Sequence, residues 1–215
     1  LTADISSDLG LAALGGVDGV LRVFSTENGE QLYSSEKHTD WITAVAFSPD
    51  GVLLASADRA GGLVVWEALT GREFHPLGPR KSGVEALAWR ADSMLLASGA
   101  QDGELALYEM QNGKQLRAWK SHGGVLSLDY LADGTLLSSG RDARARLWNE
   151  AGKEQAHFDG AQQLASSCAA SFDGKLLMVG DMAGLVNVYQ AGDAKSVRRL
   201  RANPATELEL TAGQE

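Results

Sequence analysis

The stretch WITAVAFSPDGVLLASADRAGGLVVWEALTG, from Trp41 to Gly71, contains three short apolar segments separated by turns. Segments of this length, WITAVAF, VLLASA and LVVW, suit β-strands better than helices. The turn SPDG at residues 48–51 combines a proline that fixes φ, an aspartate that can cap the turn and a glycine that accepts positive φ. A further short segment, EFHPL, follows Gly71. The stretch therefore predicts a unit of four strands joined as hairpins.

This unit recurs along the whole chain. The turn aspartates lie 42, 42, 41 and 40 residues apart, at Asp8, Asp50, Asp92, Asp133 and Asp173. Each third strand ends near an aromatic residue, at Phe24, Trp66, Tyr108, Trp148 and Tyr189, and a glycine follows at Gly29, Gly71, Gly113, Gly152 and Gly192. A fixed period of about 40 residues indicates stacked supersecondary units. We place five units at about 1–37, 38–80, 81–121, 122–160 and 161–203, and a polar linker or tail at 204–215.

The repeat resembles the WD40 family. The segment HTDWITAVAFSPDG, from His38 to Gly51, is similar to the opening of a WD40 repeat, and Leu147-Trp148 and Val65-Trp66 are similar to its closing strand. Asn149 and Glu67 stand where the family has its aspartate. The resemblance covers about residues 1–203 and implies an all-β propeller with five four-stranded antiparallel blades.

Five blades are fewer than the family usually has. WD40 propellers commonly close with about seven blades, so the resemblance implies a part of a larger ring. A closed five-bladed ring and completion by another copy are the alternatives. Because the chain starts at Leu1 with the first strand of a blade, we expect it to be a fragment of a longer protein.

The resemblance also implies a buried hydrogen-bond network, or tetrad, of His, Ser or Thr, Asp and Trp within each blade. The matching positions are His122, Ser138, Asp142 and Trp148 in the fourth unit, His38, Ser56 and Trp66 in the second, Ser98 and Asp102 in the third, and Asp18 in the first. The second unit is expected to lack the aspartate because Ala60 stands at its position. The third is expected to lack the histidine, and the fifth has Ala183 with Tyr189.

Composition and motifs narrow the function classes. A formal charge of −9 argues against non-specific binding to nucleic acid or to an anionic membrane. The single Cys168 excludes an intrachain disulfide and a CxxC motif within the chain. The sequence lacks GxxxxGK[ST], GxSxG, HExxH and an EF-hand loop, and the repeat already explains the turn aspartates. We predict a non-enzyme without catalytic residues, metal or cofactor, and the compartment stays open.

The remaining prediction is recognition of a protein or peptide. In propellers of this family, partners commonly dock on the top face, formed by the loops between second and third strands and between successive blades. The candidate residues on these loops are Trp41, Arg59, Gln101, Arg141 and Met182. Their varied chemistry suits a specific protein surface better than a repeated nucleic-acid contact. The first prediction is therefore a non-catalytic interaction scaffold.

An alternative is a regulatory or sensing propeller fused to a catalytic or electron-transfer domain outside this chain. The alanine-rich, lysine-poor repeats and the exit RANP at residues 201–204 resemble bacterial WD40 segments fused to c-type cytochrome modules. A CxxCH haem motif in the flanking sequence would distinguish this alternative from the scaffold.

Overall fold

The computed structural model describes residues 1–7 and 9–202, without the side chains of residues 194 and 195. The predicted turn aspartate Asp8 and the predicted tail at 204–215 lie outside the described residues. Within the described part, the secondary structure consists of β-strands and turns. No helix found there is long and apolar enough to cross a membrane.

The strands form five separate four-stranded antiparallel sheets, called blades 1 to 5. Blades 1 and 2 contain β1 (Thr2–Ile5), β2 (Leu11–Gly15), β3 (Leu21–Ser25), β4 (Gln31–Ser35), β5 (Ile42–Phe47), β6 (Leu53–Asp58), β7 (Leu63–Glu67) and β8 (Glu73–Pro76). Blade 3 contains β9 (Val84–Trp89), β10 (Leu95–Ala100), β11 (Glu104–Glu109) and β12 (Lys114–Lys120). Blades 4 and 5 contain β13 (Val125–Tyr130), β14 (Leu136–Gly140), β15 (Ala145–Trp148), β16 (Glu154–Phe158), β17 (Ala165–Ala170), β18 (Leu176–Asp181), β19 (Leu185–Gln190) and β20 (Asp193–Arg201). Consecutive strands pair within each blade, so every blade is a meander. The predicted all-β fold with five four-stranded blades is confirmed.

The turn between the first and second strands is built as the sequence predicts. Asp50 Oδ1 accepts the backbone N–H of Val52 at 3.0 Å, and Asp92, Asp133 and Asp173 accept from the residue two positions ahead in the same way. Gly51 takes the left-handed φ of 72° that follows the capped aspartate. In blades 2 to 5, the aspartates that recur with the period are therefore turn caps.

Buried clusters join each blade to the next. One cluster combines residues of blades 1 and 2, including Leu11, Val23 and Phe47, and a second combines blades 2 and 3 through Val65, Trp89 and Leu96. Two more clusters join blades 3 to 4 and 4 to 5. Fully burying one such aliphatic side chain contributes about 1.5–3 kcal/mol, so these seams contribute strongly to the stability. Among the described residues, no buried cluster joins blade 1 to blade 5.

One side of blade 5 is more exposed than the equivalent side of blade 2. Leu176 and Met178 are 42% and 45% exposed, whereas the equivalent Leu53 and Ala55 of blade 2 are 8% and 0% exposed. In blade 2 these positions pack against blade 3. Within the described residues, blade 5 therefore presents an exposed apolar side.

The innermost strands of neighbouring blades are connected by side chains. Asp4 Oδ2 accepts the backbone N–H of Phe47 at 2.7 Å, and Asp129 Oδ2 accepts that of Ala170 at 2.7 Å. The indole of Trp89 donates to the carbonyl of Ala46 at 2.9 Å. Each bond joins residues 41 or 43 positions apart, which is about one repeat.

Candidate functional site: blade networks and the top face

Blade 2 contains a complete buried network of four side chains. His38 Nε2 lies 2.6 Å from Ser56 Oγ, and His38 Nδ1 lies 2.8 Å from Asp58 Oδ2. Trp66 Nε1 donates to the same Ser56 Oγ at 2.8 Å. The histidine and aspartate side chains are each only 1% exposed. The network therefore ties the second and third strands of the blade to the loop that precedes its first strand.

The geometry fixes where the protons of this network lie. Ser56 Oγ accepts the Trp66 N–H, so its own proton is available for His38 Nε2. His38 must then carry its proton on Nδ1 and donate it to the Asp58 carboxylate. A neutral imidazole satisfies every member of the chain. A second proton on Nε2 would point at a serine hydroxyl that already accepts from the tryptophan, and would leave the serine proton without a partner.

Blade 4 has a corresponding network. His122 Nδ1 lies 2.7 Å from Asp142 Oδ1, His122 Nε2 lies 2.8 Å from Ser138 Oγ, and Trp148 Nε1 donates to that oxygen at 2.7 Å. Arg146 adds an ion pair of 2.6 Å to the other oxygen of Asp142. Burial would raise the pKa of the Asp142 carboxyl, but His122 and Arg146 outweigh it and lower that pKa.

The expectation that blade 2 lacks its aspartate is wrong. Ala60 does stand four residues after Ser56, where the pattern of blade 4 places Asp142 after Ser138, but Asp58 reaches the histidine from only two residues after the serine. The histidine and aspartate are nevertheless 20 positions apart in both blades. Counting from the histidine instead of from the serine would have identified Asp58.

Blade 3 replaces the histidine with an arginine. Arg80 lies 42 residues after His38, and its guanidinium donates to the hydroxyl and the carbonyl of Ser98. A second nitrogen pairs with Glu104 Oε1 at 2.9 Å, and the arginine side chain is 5% exposed. The sequence interpretation missed this residue, although the period alone marks its position. The buried guanidinium therefore has a carboxylate and two serine oxygens as partners, which compensate for its loss of hydration.

Two predicted tetrad aspartates lie outside any such network. The carboxylate of Asp102 pairs with Lys120 Nζ at 2.7 Å instead of joining Ser98. Asp18 of blade 1 pairs with Arg22 at 2.6 Å on the surface. In blade 1 the serine position holds Leu14 and the tryptophan position holds Phe24, so no buried donor is left without an acceptor there.

Blade 5 uses a different set of bonds. Ala183 leaves the aspartate position of the tetrad without a carboxylate, but Asp181, equivalent to Asp58, accepts the backbone N–H groups of Gln162, Ala183 and Leu185 at 2.8–2.9 Å. Although burial opposes it, these bonds lower the pKa of Asp181. Tyr189 donates its hydroxyl to the carbonyl of Asp159 at 2.6 Å. Blade 5 is therefore braced through backbone groups.

The two histidine networks predict a pH-dependent stability. Burial lowers the pKa of His38 and of His122 below 6.5, more strongly than their aspartate partners raise it. A histidine with a depressed folded pKa binds fewer protons in the native state than in the unfolded state. Its contribution to the free energy of unfolding is complete above pH 6.5 and is lost as the pH falls through the pKa of the folded state. We therefore expect the Tm measured by calorimetry to decrease progressively as the pH is lowered below 6.5.

A variant separates this effect from general acid denaturation. In His38→Gln, the decrease of the Tm between about pH 7 and pH 5 should be smaller than in the parent protein, since one buried imidazole no longer titrates. His157→Gln changes an imidazole that is 53% exposed and should keep the parental decrease. An unchanged pH dependence in the His38 variant would contradict the assignment.

The predicted top-face residues occupy equivalent places in successive blades. The backbone N–H groups of Arg59, Gln101, Arg141 and Met182 donate to the carbonyls of Trp41, Gly83, Gly124 and Leu164, respectively, at 2.8–3.2 Å. Each bond joins the end of a second strand to the entry of the first strand of the same blade. We use the name top face for Trp41, Arg59, Gln101, Arg141 and Met182.

Their side chains differ in what they contact. The Arg59 guanidinium lies 5.2 Å from the ring centroid of Trp41, which is 51% exposed. Gln101 donates to Glu85, and Met182 is 65% exposed. A Cβ added at Gly124 would lie 2.7 Å from Cδ of Arg141 and 2.9 Å from the backbone oxygen of Gln101, so glycine allows these groups to approach closely. Trp41 and Arg59 form the one stacked aromatic and cationic pair found among the described residues.

Among the described residues, the groups with catalytic or metal-binding potential are either dispersed or engaged in structural bonds. No three or more His, Cys, Asp or Glu side chains there are arranged to hold a metal ion. Burial raises the pKa of the Cys168 thiol to about 11, so this cysteine is a neutral thiol near pH 7. His38 and His122 are fully engaged in the blade networks.

Comparison with known proteins agrees with the fold. The family described as "WD domain, G-beta repeat" matches residues 29–67, and the "Anaphase-promoting complex subunit 4 WD40 domain" matches residues 77–133. The solved structure of U3-55K superposes with a TM-score of 0.86 over 93% of this chain and 63% of that chain, at 20% sequence identity. At that identity, the likeness concerns the fold.

Curated relatives match over shorter stretches. Human angio-associated migratory cell protein is 38% identical over 63 residues, which are 29% of this chain and 14% of the relative. Bovine serine-threonine kinase receptor-associated protein is 33% identical over 73 residues, 34% of this chain and 21% of the relative. The matches thus span 14% and 21% of the length of these two relatives. The two repeat matches and the blade architecture together show that this chain is built of WD40 repeats.

Proposed function

We propose that the chain is a non-catalytic interaction scaffold that binds a protein or peptide on its top face. The family supports the general role, since WD40 propellers generally serve as protein-interaction scaffolds. The observation that carries the specific proposal is the exposed stack of Arg59 on Trp41. Large aromatic and arginine side chains dominate the binding energy of protein interfaces.

The stack is suited to binding for two physical reasons. An indole has few rotatable bonds and a large apolar face, so ordering it on a partner costs little entropy. The arginine over its ring holds the indole in one orientation before the partner arrives and can still donate to a carboxylate or carbonyl. Trp41 also lies beside Asp40, whose carboxylate accepts the Trp41 backbone N–H at 2.7 Å. The partner would therefore meet a preformed site.

The chemistry of the remaining residues supports a scaffold without a catalytic step. The neutral Cys168 thiol is a poor nucleophile, and the recurring aspartates serve as turn caps. The top face carries a different side chain in each blade. Such variety supports recognition of one partner surface rather than of a repeating backbone such as nucleic acid, and the charge of −9 favours the same interpretation.

Substitution of the stacked pair tests the proposal. Partners are captured from a lysate on the immobilised chain, identified by mass spectrometry and then titrated individually as purified proteins. Trp41→Ala and Arg59→Ala should each lower the affinity for a top-face partner by about tenfold or more while leaving the Tm of the chain unchanged. Arg72→Ala is the matched control, because this arginine is also exposed but lies on the turn after β7. Undiminished binding by both variants would refute the top-face assignment.

A further inference from the structure

A second surface is present at the opposite ends of the strands. An apolar groove of about 720 Å³ lies where the turns of blades 1, 2 and 3 meet. We define the apolar groove by its hydrophobic lining, which consists of Leu9, Val52, Leu53, Leu69, Phe74, Met94 and Met110. Five of these side chains, all except Leu53 and Met110, are 37–61% exposed. The groove therefore gathers large hydrophobic residues at a surface that the fold leaves open to solvent.

The repeat itself shows that the fold does not require these residues. The equivalent cleft at the seam of blades 3 and 4, of about 490 Å³, is lined mainly by polar and charged residues, among them Arg90, Asp92, Asp133, Thr135, Asn149 and Glu150. At the position of Val52 and Met94, blade 4 has Thr135 and blade 5 has Lys175. At the position of Leu69, blade 3 has Gln111. The same turns thus form with polar side chains, and the hydrophobic set is particular to this groove.

The groove is a preformed surface. Its floor consists of Leu53 and Met110, which are 8% and 4% exposed. Ser93 Oγ accepts the backbone N–H of Asp50 at 3.2 Å and so connects the turns of blades 2 and 3 across the groove. Backbone bonds from Ala68 to Val52 and from Met110 to Met94 hold the two walls. Binding would therefore cost little ordering of the protein.

The charge around the groove indicates the chemistry of its occupant. The charged groups in its lining are the carboxylates of Asp50 and Glu67. Arg72 pairs with Glu67, whereas Asp50 accepts from the Ser48 hydroxyl and the Val52 backbone, and no described lysine or arginine pairs with it. The whole chain adds a formal charge of −9. An occupant with positive charge next to its apolar side chains is complementary to this site.

We propose that the apolar groove binds a peptide segment of a partner protein that presents aliphatic side chains flanked by lysine or arginine. The aliphatic side chains occupy the space between Val52, Leu69 and Met94, and the cationic group lies beside Asp50. This site is at the other end of the blades from the top face, so it does not depend on the function proposed there.

The test uses the whole chain and a fluorescent peptide of about ten alternating leucine and lysine residues as the probe. Fluorescence anisotropy should show binding that weakens at least about tenfold in the double variant Val52→Thr/Met94→Thr. These substitutions introduce the residue that blade 4 has at the same position, so the turns should still form. Leu116→Gln is the control, since it removes an exposed hydrophobic side chain, 43% exposed, from β12, outside the groove.

Two further peptides separate the contributions of charge and apolar contact. A serine and lysine peptide should bind weakly, which excludes simple attraction to the net negative charge. A leucine and glutamate peptide should also bind weakly, which tests whether the occupant needs positive charge. No binding of the leucine and lysine probe, or binding equal in the parent and the double variant, would overturn the proposal. Self-association in light scattering that the double variant abolishes would instead assign the groove to a second copy of the chain and would also overturn it.

Discussion

Replacing Gly103 with alanine is expected to destabilise the protein by at least about 3 kcal/mol. Gly103 has a φ of 82° in the turn between β10 and β11, and a Cβ added there would lie 1.8 Å from the backbone oxygen of His122. The neighbour is main chain, so no side-chain rotation can relieve the contact. The loop between blades 3 and 4 would have to move, and with it the histidine of the blade 4 network. Urea unfolding followed by tryptophan fluorescence measures the loss.

The chain provides a matched control for backbone strain alone. Gly29 has a similar φ of 74°, but a Cβ there would have no neighbour within 4 Å. Gly29→Ala should therefore cost only the left-handed conformation, about 1–2 kcal/mol. If both variants lost the same free energy of unfolding, the close approach between Gly103 and His122 would not be present in the protein.

Replacing Ser56 with alanine is expected to cost about 2–4 kcal/mol, the second-largest effect. Ser56 Oγ serves both Trp66 and His38, and all three residues are buried. The substitution leaves an indole N–H and an imidazole nitrogen without partners in an apolar environment, which costs more than the lost bonds themselves. Ser34→Ala, on an exposed position of β4, should change the free energy of unfolding by less than about 0.5 kcal/mol.

A double-mutant cycle tests the mechanism of that loss. Trp66→Phe removes the N–H donor that Ser56→Ala leaves unpaired. Blade 1 already has a phenylalanine, Phe24, at this position. The double variant should therefore lose about 1 kcal/mol less free energy of unfolding than the sum of the losses in the two single variants. Strict additivity would show that the serine and the tryptophan do not interact.

Much of the fold could be predicted from the sequence because the period repeats local chemistry. Each capped turn requires an aspartate at a fixed position, so the turns marked the strands between them. The number of blades and their strand count followed directly. The blade networks were less predictable, since a hydrogen bond depends on where two atoms meet and not on where their backbones lie. Asp58 and Asp142 reach equivalent ring nitrogens from different positions in their turns, which a fixed pattern missed.

Two other features were missed in the sequence. Arg80 replaces a histidine by a side chain of different length and charge, and a search for histidine overlooks it. The apolar groove draws on three units whose residues are isolated along the chain, such as Leu9, Leu69 and Met94. Single exposed hydrophobic residues are common on protein surfaces, and only their convergence distinguishes this set.

The bonds between innermost strands have a consequence for how such a chain can change in length. Asp4 and Phe47, or Asp129 and Ala170, are separated by about one repeat, so donor and acceptor belong to corresponding parts of adjacent units. Duplication of a whole unit would copy a donor together with the acceptor that faces the next unit. An insertion of a few residues within a strand would shift one of them alone. The architecture therefore tolerates insertion of a complete repeat but not of a few residues within a strand. We expect the coding sequence to change in length by steps of about 42 codons.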